Sequence, residues 1–98
     1  MLLPALALAD LRVAGAALPD GSEKVAESRY RSAKSWDETI RFYRQIYPAR
    51  YTRRPIADQP SVKAVHIANP DARPGGWEGL TVYEAQGEVR IFVLVKGK

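Results

Sequence analysis

Cysteine is absent from this chain. Disulfide staples, thiol nucleophiles, iron–sulfur clusters and cysteine zinc sites are excluded by that one fact. There is a single histidine, His66, and metal centres usually need three or four ligands. No window approaches the roughly 18 consecutive apolar residues of a membrane span. No phosphate-cradling or dinucleotide-binding motif occurs either. The glycine-rich stretch Asp71-Ala72-Arg73-Pro74-Gly75-Gly76-Trp77-Glu78-Gly79 lacks the lysine and serine of a P-loop. It also precedes a strand pattern, where a P-loop needs a helix.

What is present is the composition of an ordinary globule. Of 98 residues, 46% are hydrophobic and 27% charged, which argues against wholesale disorder. A chain of this size buries roughly 60–70% of its unfolded surface, enough for one core. The net charge of +4 is unevenly placed. Residues 1–23 hold one basic and three acidic side chains, residues 24–63 ten and four, and residues 64–98 four of each. A negatively charged partner would be drawn to the middle of the chain.

The segment Met1–Ala9 is apolar, and Ala7-Leu8-Ala9 ahead of Asp10 has the small-x-small pattern of a signal cleavage site. The basic leader of a complete signal is missing. A periplasmic or secreted location and a cytoplasmic one therefore weigh equally. Residues 1–19 are set aside as an apolar amino-terminal segment, and residues 20–98 are taken as the single domain.

Within that domain Ser35-Trp36-Asp37-Glu38 has the spacing of a capping box. The helix it opens is expected over residues 36–47. Phe42, Ile46, Thr39, Tyr43, Trp36, Tyr47 and Ile40 fall on one broad arc at 100° per residue, and Pro48 stops the helix. Lys24–Arg31 reads as one charged edge strand. Tyr51–Ala57 is basic and extended, confined by Pro55 to an edge or a loop. Ser61–Ala68 reads as a strand. Gly79–Ala85 and Glu88–Val95 read as a hairpin turned at Gln86-Gly87. Val89, Ile91, Val93 and Val95 share one face of the last strand and Phe92 and Leu94 the other, the signature of an inner strand. The fold class expected is α+β: one main helix packed on a mainly antiparallel sheet of three to five strands.

Candidate chemistry is sparse. His66 has no neighbouring partner and alternates with Val65 and Ile67, so it reads as a surface or polar-contact residue. Asp71, Glu78, Glu84 and Glu88 can be imagined as paired carboxylates, but acid–base catalysis needs two of them together in a cleft. No catalytic residue, cofactor site or metal site is expected, and a small enzyme is the weakest of three readings. The favoured reading is a non-catalytic binding module that recognises an acidic protein surface or another anionic macromolecule. Its contact residues would be the arginine turn, Arg50, Tyr51, Arg53 and Arg54, together with the loop residue Trp77, whose competing reading is a ring folded back to plug one end of the core. Arginine grips carboxylates in pairs, and tryptophan buries much area at little entropic cost. The same side of the chain, Arg41, Arg44, Arg50, Arg53 and Arg54 interleaved with Tyr43, Tyr47 and Tyr51, supports nucleic-acid binding as the alternative. Self-association through the sheet is a further option.

Overall fold

Helix α1 spans Trp36–Ile46 and begins where the capping box places it. Ser35 Oγ accepts from the Glu38 amide at 3.2 Å, and the Glu38 carboxylate accepts from the Ser35 amide at 3.2 Å. Asp37 and Glu38 lie in the first turn and Arg44 in the last, each on the favourable side of the helix dipole. Tyr47 leaves helical geometry at φ −118°, ψ 106°, as a residue preceding proline must. The computed structural model describes residues 11–56 and 63–97. The signal-like Met1–Ala9, Ala57 and the start of the Ser61–Ala68 stretch lie outside the described residues.

The strands are β1 (Leu11–Val13), β2 (Ala16–Leu18), β3 (Glu23–Ala26), β4 (Arg29–Arg31), β5 (Arg53–Pro55), β6 (Ala64–Ala68), β7 (Trp77–Ala85) and β8 (Glu88–Val95). β1 and β2 form a separate two-stranded hairpin. The other six form one antiparallel sheet in the order β3-β4-β8-β7-β6-β5. The class is α+β, but the strand count is six plus two rather than three to five. Lys24–Arg31 is not one strand. It folds back at Glu27-Ser28, with Ser28 at φ 62°, and becomes β3 and β4. The extra strands are three or four residues long, too short for their alternation to show. β5 is the edge strand that Pro55 requires.

The β7–β8 hairpin turns on Gln86 (φ 53°) and Gly87 (φ 78°). Positive φ at both central residues is the twist that a two-residue hairpin favours. β8 is the inner strand expected, between β4 and β7. Val89, Ile91 and Val93 are buried with Leu80, Val82 and Ile67 under α1. Val95, on the same side, is 46% exposed, because it lies at the strand's end. From the helix, Thr39, Tyr43 and Tyr47 are buried, and Trp36, Ile40 and Phe42 pack against them in part. Ile46, placed on the inner arc by its angle, is 39% exposed.

The core reaches further toward the amino terminus than residue 20. Ala16, Ala17, Leu18 and Pro19 are buried. The Ala17 amide donates to the Tyr47 hydroxyl at 3.0 Å, and the Tyr43 hydroxyl donates to the Ala17 carbonyl at 2.9 Å. The β1–β2 hairpin is thus fixed to the helix and its C-cap by both backbone polar groups of one residue, Ala17. Its own apolar run is too short to reveal this.

Two outcomes follow. Ser35→Ala removes the cap and lowers stability by about 1 kcal/mol, read as a drop of about 4–8 °C in melting temperature. Burial raises the pKa of the Tyr43 phenol above its ordinary value, with the neighbouring Tyr47 adding to the shift. Its contribution to stability is therefore full below about pH 10, the unfolded value, and is lost as pH rises above it. Urea midpoints measured across that alkaline range fall for the parent chain and fall less for Tyr43→Phe, which starts lower at neutral pH.

Candidate functional site

The five residues expected to meet a partner do not form one surface. Trp77 is 6% exposed. Its ring lies 5.0 Å from Tyr47 and is stacked at 6.0 Å on Tyr51. Its amide donates to the Ala14 carbonyl. The tryptophan closes one end of the core, where it holds the amino-terminal hairpin.

Arg53 and Arg54 point to opposite sides of the sheet, as adjacent strand residues do. Arg53 turns inward, opposite Ile67. Its guanidinium donates to the Tyr43 carbonyl at 2.9 Å and to the Tyr47 carbonyl. Tyr43 lies in the last turn of α1, where its carbonyl also accepts from the Tyr47 amide at 2.9 Å, and Tyr47 is the C-cap. A cation is favoured at this end of the helix. Arg53 is thus a side-chain cap from a neighbouring strand. Arg50 forms a two-pronged ion pair with Asp71, at 2.8 and 3.0 Å, and lies over the Tyr51 ring at 5.4 Å. That pair lowers the pKa of Asp71 and raises that of Arg50. Both partners are exposed, so its stabilising worth is small.

Arg54 faces outward, and among the described residues no helix lies over that side of the sheet. The register runs a straight row across five strands: Arg29, Phe92, Thr81, His66 and Arg54, from β4 to β5. Beside it a second row holds Arg31, Arg90, Tyr83 and Ala64. Phe92, Leu94, Thr81 and Tyr83 are half-buried at the centre of this face. Arg31 is held between Glu23 and Glu88, and Arg90 donates from Nε to Glu88 at 3.0 Å. The Glu88 pKa is lowered, chiefly by Arg90. Arg29 lies over the Phe92 ring at 4.7 Å. Among the described residues, neither Arg29 nor Arg54 has a carboxylate within ion-pair distance. Phe92, Leu94 and Tyr83 thus sit centrally on this face with arginines around them. Only β8 announced this face in the sequence, through Phe92 and Leu94. Arg29, Thr81 and His66 join it through register, which composition does not disclose.

The carboxylates weighed for catalysis are dispersed. Asp71 pairs with Arg50, Glu84 with Lys63 at 3.8 Å, and Glu88 with two arginines. Among the described residues no three His, Asp or Glu side chains are grouped to hold a metal. No described helix is long and apolar enough to cross a membrane.

A scan against protein-family models and searches of curated proteins and of solved structures found no match to this chain.

One contrast checks that geometry. Arg53→Gln removes the helix cap and costs about 1–3 kcal/mol. Arg54→Gln, one residue on, changes stability by no more than about 0.5 kcal/mol. Urea unfolding of the two variants beside the parent chain tests both values, and equal losses would mean the two arginines share a role.

Proposed function

We propose that the protein is a non-catalytic binding module whose uncovered sheet face takes up an acidic protein surface. The observation that carries this is the row Arg29–Phe92–Thr81–His66–Arg54. It places two guanidiniums, neither with an ion-pair partner among the described residues, at the ends of the half-buried run Phe92, Thr81 and His66. Interfaces place apolar and aromatic groups centrally, favour arginine and keep a polar rim. The arginine turn enters only through Arg54, and Trp77 supports the surface from within the fold.

Nucleic acid is the alternative occupant. It would stack bases on exposed rings and neutralise phosphates with unpaired cations. Here the Phe92 ring already carries Arg29, and Arg31 and Arg90 are committed to Glu23 and Glu88. Those three facts favour an acidic polypeptide over a single strand.

Titration of polyglutamate peptide and of labelled single-stranded oligonucleotide at two salt concentrations tests the choice. The peptide binds in the micromolar range, and the double variant Arg29→Gln/Arg54→Gln weakens it roughly tenfold or more, two charge-assisted contacts being lost. Tighter oligonucleotide binding with a steep salt dependence would replace the acidic polypeptide with nucleic acid. Peptide affinity unchanged in the double variant would overturn the face as the contact.

A further inference from the structure

The uncovered sheet face carries a hollow of about 240 Å³ lined by Thr52, Arg54, His66 and Ala68, at the β5–β6 margin. We infer that this hollow seats one carboxylate group of the partner, with Arg54 supplying the charge and His66 a second hydrogen bond. The inference rests on the binding-face reading above and narrows it to one chemical group at one place.

The construction of the hollow supports a seat. Arg54 and His66 are directly opposed in the β5–β6 register, so their Cβ atoms stand about 5 Å apart on one face. Both side chains line the hollow, with the imidazole leaning toward β7 and the guanidinium on the β5 side, and a carboxylate would lie between them. Ala68 is small, and Thr52 completes the lining. The His66 ring is held rather than loose, since Nδ1 is 3.1 Å from the Thr81 hydroxyl. With that hydroxyl donating, Nε2 carries the ring proton and is a donor. Among the described residues Nε2 has no hydrogen-bond partner.

Gly79 explains why the ring can lie where it does. A Cβ on Gly79 would stand 2.6 Å from His66 Cε1 and 2.7 Å from Nε2. The imidazole therefore occupies space that any other residue at position 79 would contest. A glycine inside a nine-residue strand weakens that strand, and close approach of another group is one reason to keep it. Here that group is the only histidine of the chain.

Charge complementarity selects the occupant. The groups facing His66 from neighbouring strands are Arg54 on β5 and Glu78 on β7. Burial, first, and Arg54, second, lower the imidazole pKa below its ordinary value, while Glu78 opposes them. At neutral pH the hollow thus offers one guanidinium charge and one neutral donor, which matches a monoanionic carboxylate better than a dianionic phosphate. Occupation by an anion favours the imidazolium, so the seat tightens as pH falls.

Because His66 is the sole histidine, its Hε1 proton gives one isolated imidazole signal in an NMR spectrum. The experiment follows that signal against pH for the full chain alone, with glutarate, with polyglutamate peptide and with inorganic phosphate. Glutarate and polyglutamate are expected to move the His66 midpoint upward, by about one pH unit for a tenfold preference for the imidazolium. Arg54→Gln lowers glutarate affinity roughly tenfold by removing a charge-assisted contact. Gly79→Ala weakens it by displacing the ring, with Arg54 intact.

A His66 signal unmoved by both carboxylate probes overturns the seat, as does a larger shift with phosphate than with glutarate. The two readings separate cleanly. Polyglutamate that moves the Phe92 and Thr81 amides but not His66 overturns the seat and leaves the binding face. Glutarate that moves His66, with no amide response to polyglutamate, supports the seat and overturns the wider face.

Discussion

The junction between the amino-terminal hairpin and the core depends on how the backbone of one buried residue, Ala17, is satisfied. β2 is a three-residue strand at the edge of a two-stranded hairpin, and its residues are buried. An edge strand taken out of water needs partners for its amide and carbonyl, and an unsatisfied group there costs about 1–3 kcal/mol. At Ala17 the partners are the phenol hydroxyls of Tyr43 and Tyr47, four residues apart on one helical face. The stacked tyrosines thus replace a missing strand. The consequence spreads outward: the hairpin is held, the Ala14 carbonyl meets the Trp77 amide, and Trp77 closes the core. No buried side-chain nitrogen or oxygen among the described residues is left without a partner.

The helix has a similar relation to the sheet at its other end. Its first turn caps itself through Ser35 and Glu38. Its last turn relies on Arg53 from β5, brought there by the chain's return after Pro48. One face of the sheet is therefore consumed by structure. Tyr43, Tyr47 and Trp77 fill it, and Arg53 is spent on carbonyls. The opposite face keeps its arginines on strands whose positions are set from behind. This division separates Arg53 from Arg54 in role, although they are neighbours in the chain with the same chemistry.

The helix and the last hairpin were legible from sequence because several independent signals agree at each. Ser35, Glu38, the Thr39–Tyr43–Tyr47 spacing and Pro48 define α1 together. Gln86-Gly87 between alternating apolar runs defines β7 and β8. The shorter strands were not legible. Three residues complete only one full period of a strand, and the turn at Glu27-Ser28 lacks the glycine or asparagine that would mark it. Of the candidate site, the arginine turn was visible as composition only. Strand parity sends Arg53 and Arg54 apart, and parity follows from where β5 begins, which Pro55 constrains but does not determine. The outward row was harder still, since its members are far apart in sequence and meet through register alone.

The outer margins of the six-stranded sheet have a consequence for the protein in concentrated solution. On one side β3 presents Glu23, Lys24, Val25 and Ala26 to water, with Glu23 tied to Arg31 and Lys24 to Glu27. On the other, β5 is three residues long and ends in a proline that donates no hydrogen bond. Charge at one border and a missing amide at the other both discourage a second sheet from joining end to end. The sheet thus carries, at each border, a feature that disfavours lateral growth into fibrils.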